Sequence, residues 1–339
     1  MDREPVSHPA SRRVRRQAHG SQLGLTLVEV LVATAIGLLV TLASLSMLLG
    51  TRAGYLTGDE ATRLDEAGRV ALDQIARAIR QAGRPEWMAD RPPFVTTVDM
   101  SPDVIGWDAH SVSATSPGID APLSRAVNGS DLLALRFFGA GGGTDGDGTV
   151  LNCAGFSKGR PASVDTADSE RGWSVFYVAE DANGEPELYC KYQGRSAWSA
   201  QAIVGGVESF QVLYGLDLDG DGTPDQFVNA GAIRALDDGL PVAAGTAAEQ
   251  AAARNRSTYW KKVVAVQFAL LMRGGMPVRM DATDNDYMLF GPDYAATLGK
   301  TDTGTTIHES ALPLKSRNRL RRVFRMTVQL RNHADGRQA

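Results

Sequence analysis

Apolar and polar positions along the chain follow two regimes. From Val30 to Thr51 no residue carries a charge, a run of 22. Coiled as a helix, such a run would extend about 33 Å, close to the thickness of a bilayer's hydrocarbon core. Further on, Leu64, Ala67, Ala71, Ile75, Ala78, Ile79 and Ala82 recur at helical spacing, while Asp65, Glu66, Arg69, Asp73, Arg77 and Arg80 fall mainly elsewhere. The spacing predicts an amphipathic helix whose apolar stripe packs on a sheet, stopped by Gly83 and Pro85. Between the two stretches stand Gly50, Gly54 and Gly58. Each costs a helix about 1 kcal/mol relative to Ala, so a bend or melted turn is expected there.

From residue 84 onward the period changes to two. Phe324-Arg-Met326-Thr-Val328-Gln-Leu330 alternates strictly, which specifies a strand with one buried face, and Phe210-Gln-Val212-Leu-Tyr214 reads the same way. Asp131–Phe138, Trp173–Ala179, Glu187–Tyr192 and Val263–Met272 are further strands, the last so apolar that it belongs at a sheet centre. Thr246-Ala-Ala-Glu249 ahead of an alanine run has capping-box spacing and predicts a short inserted helix near 246–254. Residues 139–148 and 152–172 are loops by their Gly, Ser and Asp content. One helix behind several antiparallel strands makes an α+β fold.

At 339 residues, the chain has room for one large or two small folded units. Its charge is divided. Residues 1–24 hold five Arg against Asp2 and Glu4, a net +3, so the formal total of −4 leaves −7 for the remainder. An acidic bulk argues against a general nucleic-acid binder. Basic residues ahead of the apolar run keep the leader cytoplasmic and send everything after Arg52 across the membrane. The run is too long for the core of an ordinary secretory signal, about 7 to 15 residues.

The anomaly is Glu29, at the start of that run in Gly24-Leu25-Thr26-Leu27-Val28-Glu29. A carboxylate costs about 2.5 to 3.5 kcal/mol at a bilayer centre and less near an interface, so it calls for a partner. These residues resemble the processing signal of type IV pilins and type II secretion pseudopilins, with Leu25 where the family usually has Phe. The resemblance implies that a prepilin peptidase cuts after Gly24 and methylates the new amine of Leu25. It also implies that Glu29 pairs with that amine on a neighbouring subunit. A plain signal anchor is the competing reading. The stretch Leu64–Gly83, Ser130–Arg136, Trp260–Val266 and Arg321–Asn332 resemble recurrent blocks of the PilW family of minor pilins. Residues 86–125 and 233–258 resemble no named block.

Asp217-Leu-Asp219-Gly-Asp221-Gly-Thr223-Pro-Asp225 spaces its oxygen donors like an EF-hand calcium loop, with Gly222 at the sharp turn. Position 12 is Val228 where a bidentate Glu belongs, so a further donor would have to come from Glu208, Asp237 or Asp238. A merely acidic turn is the alternative. Asp145-Gly-Asp147-Gly148 reads as a solvated turn, and Gly139–Gly143 lacks what a phosphate cradle needs. Cys153 and Cys190, 37 positions apart on the far side of the membrane, are expected to form a disulfide worth about 3 to 4 kcal/mol. Lys315, Arg317, Arg319, Arg321, Arg322 and Arg325 read as the solvated start of a strand rather than a phosphate or DNA site. Beyond the leader only His110, His308 and His333 remain, none in a catalytic motif, so no enzymatic activity is expected.

The resemblance therefore implies a pilin-like α+β fold with a cleaved leader (1–24), a membrane and filament-spine helix (25–51), its amphipathic continuation (52–83) and a periplasmic β-rich domain (84–339). The expected function is that of a minor pilin that primes or caps a type IV pilus. Its partners would be other minor pilins, the major pilin, the prepilin peptidase and the inner membrane, with no specific nucleic acid. Calcium is the one cofactor the residues suggest. A J-type secretion pseudopilin and a pilus-borne adhesin or DNA-binding subunit are the alternatives.

Overall fold

The computed structural model describes residues 24–83, 97–279 and 284–330. In chain order the elements are α1 (Leu27–Gln81), β1 (Val104–Trp107), β2 (Leu132–Phe137), α2 (Ala167–Glu170), β3 (Gly172–Glu180), β4 (Pro186–Gln193), β5 (Trp198–Gly205), β6 (Val207–Leu216), β7 (Gln226–Val228), α3 (Ala230–Asp238), α4 (Ala247–Ser257), β8 (Val263–Arg273), β9 (Asp286–Met288), α5 (Pro292–Ala296), β10 (Thr306–His308) and β11 (Arg321–Gln329). Contacts divide the chain into two units, one ending at Gly54 and the other running Tyr55–Ala339.

In the first unit, the described part of α1 is exposed along its length, and it is long and apolar enough to cross a membrane. The melted turn expected at Gly50, Gly54 and Gly58 does not form: helical structure is continuous from Leu27 to Gln81. Glycine lowers helix propensity but keeps its amide hydrogen, and no proline interrupts the ladder. The hydroxyls of Thr51 and Thr62 fold back onto the carbonyls of Met47 (2.9 Å) and Gly58 (3.0 Å).

In the second unit, the amphipathic stripe is buried as its spacing predicts. Leu64, Ala71, Ile75, Ala78 and Ile79 face a core shared by two antiparallel sheets. One sheet has the order β1-β2-β3-β4-β5 and the other β11-β8-β6-β7. The first sheet gives this core Leu133 and Leu135 of β2 and Phe176 of β3, and the second gives Phe210, Tyr214 and Phe268. Gly68 admits the ring of Phe324 so closely that a Cβ there would lie 2.3 Å from it. β8 lies between β6 and β11, the interior position its apolar run predicts.

β6 departs from the expected single buried face, since all ten of its residues are buried. Its polar side is covered by loops: Gln211 donates to the Gly129 carbonyl (2.8 Å) and Ser209 to that of Gly304 (3.4 Å). The same insertion that supplies Gly304 forms the two-stranded β9–β10 sheet, and Leu289, Ile307 and Leu312 pack on Ala269 and Leu271 of β8. The helix at 246–254 is α4, and its box is complete, with Thr246 and Glu249 bonding each other's backbone.

Candidate assembly and ligand sites

Gly24, Leu25 and Thr26 precede α1 and are exposed. Thr26 caps the helix. Its backbone N–H and its hydroxyl both donate to Glu29 Oε2 at 2.9 Å, and the Glu29 amide donates to Thr26 Oγ1 at 3.3 Å. This reciprocal arrangement satisfies amides that a helix start leaves without partners, and a carboxylate there also complements the helix dipole. Sequence reasoning misses Thr26, although Thr-x-x-Glu is the spacing that identifies Thr246 and Glu249. The head of α1 thus presents an exposed Gly24 and Leu25, an acid held in the first helical turn and an exposed apolar surface.

Cys153 and Cys190 form the expected disulfide, with Cα atoms 5.8 Å apart. Cys190 is a fully buried member of β4, and the Cys153 amide donates to Ser174 Oγ of β3 at 3.0 Å. The bridge pins the loop around residue 153 to the first sheet.

Asp217, Asp219 and Asp225 converge, each offering an oxygen within 4.8 Å of the others. Asp217 receives the Gly220 amide on Oδ1 (2.6 Å) and the Gly222 amide on Oδ2 (2.8 Å). Both glycines have positive φ, which turns their N–H groups inward. Desolvation opposes ionisation of Asp217, but bonds from the Gly222, Gly220 and Asp221 backbone outweigh it and lower its pKa. Asp221 does not join the group; its Oδ1 instead accepts the amide (2.7 Å) and hydroxyl (2.6 Å) of Thr223. Nor does the expected outside donor arrive. Glu208 is bound by Arg321, Asp237 by Thr258 (2.6 Å) and Tyr259 (2.7 Å), and Asp238 is not in the group. Three carboxylates at the mouth of a β-hairpin suit a hard cation, with water or a ligand from elsewhere completing the shell.

The basic run at 315–325 is only partly the solvated start of a strand: Lys315, Arg322 and Arg325 are exposed, but Arg321 is not. The Arg321 side chain is fully buried, and its fork grips Glu208 through Nε (2.6 Å) and Nη2 (3.0 Å) while Nη1 reaches Glu309 (3.0 Å). Arg279 also binds Glu309 (2.7 Å), Arg319 binds Glu185 (3.2 Å), Arg273 pairs with Glu185, and Arg322 pairs with Asp65 of α1. Acids from β6 and from two loops convert an apparent surface patch into internal crosslinks. A second buried acid escapes the sequence reading: Glu60 of α1, 5 % exposed, accepts the Met276 amide at 2.9 Å. Only its position on the buried side of the helix distinguishes it from Asp59 and Glu66.

Residues 175–332 match the model of the family described as Type IV Pilus-assembly protein W, PilW. The match begins in β3 and ends just past β11, so it includes the Trp260–Val266 and Arg321–Asn332 blocks. Among curated proteins there is no match. Among solved structures, the chain is similar to the type IV-like pilin TTHA1219 from Thermus thermophilus, at 15% identity, covering 79% of this chain and 96% of that chain with a TM-score of 0.35.

Proposed function

We propose that this chain, which carries the PilW pattern over residues 175–332, is a minor pilin of a type IV pilus. The observation that carries the reading is the conjunction, in one chain, of that pattern with an exposed apolar helix headed by Gly24-Leu25 and Glu29. The leader through Gly24 stays cytoplasmic and is removed there by the prepilin peptidase. The residues after Arg52 stand in the periplasm, and the helix passes from the inner membrane into the filament.

Glu29 is the chemical hinge of assembly. In the free subunit its carboxylate is held by the Thr26 amide and hydroxyl. In the filament the methylated amine of a neighbouring Leu25 supplies a full positive charge, a stronger partner in a low-dielectric surround than a neutral hydroxyl. The apolar surface from Leu27 to Leu49 packs against the helices of other minor pilins and the major pilin. Priming or capping of the filament then requires no turnover chemistry. The test is to shear pili from producing cells and probe the fraction for this chain. Co-sedimentation with the major pilin is expected, and retention of the whole pool in the membrane overturns the proposal. Recovery in a complex with secretion components instead would favour the J-type pseudopilin.

The convergence of Asp217, Asp219 and Asp225 supports a second, local reading: the hairpin between β6 and β7 binds calcium. Loss of one cation would return three like charges to close quarters and loosen that tip.

A further inference from the structure

We infer that the outer edge of β5, together with the groove beside it, is a docking site for an extended, acid-bearing strand of another pilus subunit; this rests on the pilin reading above. β5 is the terminal strand of the first sheet and bonds only to β4 among the described residues. Its eight residues, Trp-Ser-Ala-Gln-Ala-Ile-Val-Gly, contain neither a charge nor a proline; Ile203 is bulged out of the pairing with β4, and Trp198–Ala202 form the regular stretch of edge. Natural sheets guard free edges with such residues, or with bulges and covering loops, because an open row of N–H and C=O groups recruits other strands. The other edges here are guarded. β11 carries the exposed Arg322 and Arg325, the Gly106 carbonyl of β1 is bonded by Arg234, and β7 has three residues.

A groove of about 990 Å³ adjoins Gln201, Ala202 and Ile203, walled by α1 on one side and by the disulfide-pinned loop at 149–155 on the other. Val70 and Leu151 line it and are 48 % and 38 % exposed, giving an incoming strand apolar surface beside the backbone edge. Charge selects the occupant. In the α1 wall Asp73 is paired with Arg77 at 2.6 Å, whereas Arg69 has no ion-pair partner among the described residues. A strand carrying Asp or Glu opposite Arg69 completes both the hydrogen bonds and the charge. The β5 strand of a second copy has no acid to offer. Edge addition of this kind takes its affinity from the main chain and its specificity from the flanking side chains.

The experiment uses the full-length protein in pilus-producing cells, with photoreactive benzoylphenylalanine placed at exposed Ala202 or, separately, at exposed Leu39 of α1. The Ala202 probe is expected to crosslink a different pilus subunit at an extended peptide containing Asp or Glu. Arg69→Glu should lower that yield at least about threefold while leaving the Leu39 crosslinks unchanged. A Leu39 crosslink to pilins with none at Ala202, an Ala202 crosslink only to a second copy of this chain, or a yield indifferent to Arg69→Glu overturns the inference and leaves the pilin reading standing. Absence of pilin crosslinks from both positions overturns the pilin reading as well.

Discussion

Thr26 and Glu29 are bonded to each other three times at the start of the long helix, with the Glu29 carboxylate accepting both the amide and the hydroxyl of Thr26. The same acid is therefore both a local cap and the group proposed to meet a neighbour's amine. The two roles separate by mutation. Thr26→Ala removes the cap, costing the helix about 1 kcal/mol, but keeps the charge. Piliation is expected to persist in Thr26→Ala and to fall sharply in Glu29→Ala, with leader removal intact in both. Electron microscopy of surface pili and the gel mobility of the processed chain provide the readout, and undiminished piliation in Glu29→Ala would remove the charge-pairing role.

For the acidic hairpin, isothermal calorimetry of the detergent-solubilised protein with calcium should show binding heat that vanishes in Asp219→Ala. Asp221→Ala should retain most of it, since Asp221 stands outside the converging group. Equal losses in the two variants, or no heat in the parent, would count against the site.

The Arg321 crosslink predicts a large and selective stability effect. Arg321→Met leaves Glu208 and Glu309 buried and short of a partner, which costs about 3 to 5 kcal/mol. Lys315→Met, at an exposed position of the same basic run, should change stability by no more than about 0.5 kcal/mol. Chemical denaturation in detergent distinguishes the two; equal, small effects would mean that the run is solvated after all.

Lys191 gives a pH dependence of definite sign. The side chain is fully buried, with Nζ donating to the Gly118 carbonyl at 2.7 Å and to Ser116 Oγ at 3.2 Å, and desolvation lowers its pKa to about 8. Between pH 8 and the ordinary lysine value the unfolded chain holds more protons at this residue than the folded one. Its contribution to stability therefore rises with pH across that window. Lys191→Met should flatten the rise, measured as the denaturation midpoint from about pH 7.5 to 10. An unchanged slope would contradict the burial of a charge at this position.

What can be read from the sequence is what neighbouring residues determine. The strict alternation of Phe324–Leu330, the apolar run of β8 and the box at Thr246 and Glu249 each specify an element within a dozen residues. β5 escapes notice because Ala, Ser, Gln and Gly give it little strand preference, and the short β9 and β10 exist only as a cover for β8. The division into two sheets, and the burial of β6 on both faces, depend on which elements meet in space. The basic run misleads for the same reason: Glu208 lies 113 residues before Arg321, and no local pattern announces the pair. In the acidic loop, Asp217, Asp219 and Asp225 converge, and the spacing cannot show that Asp221 is taken up by Thr223.

The central claim is that the chain is processed as a pilin before it assembles. Amino-terminal sequencing with intact mass determination of the protein recovered from producing cells tests it most directly. A mature chain beginning at Leu25, heavier than its unmodified sequence by one methyl group, is the predicted result. A chain that still carries the arginine-rich residues ahead of Gly24 would contradict it.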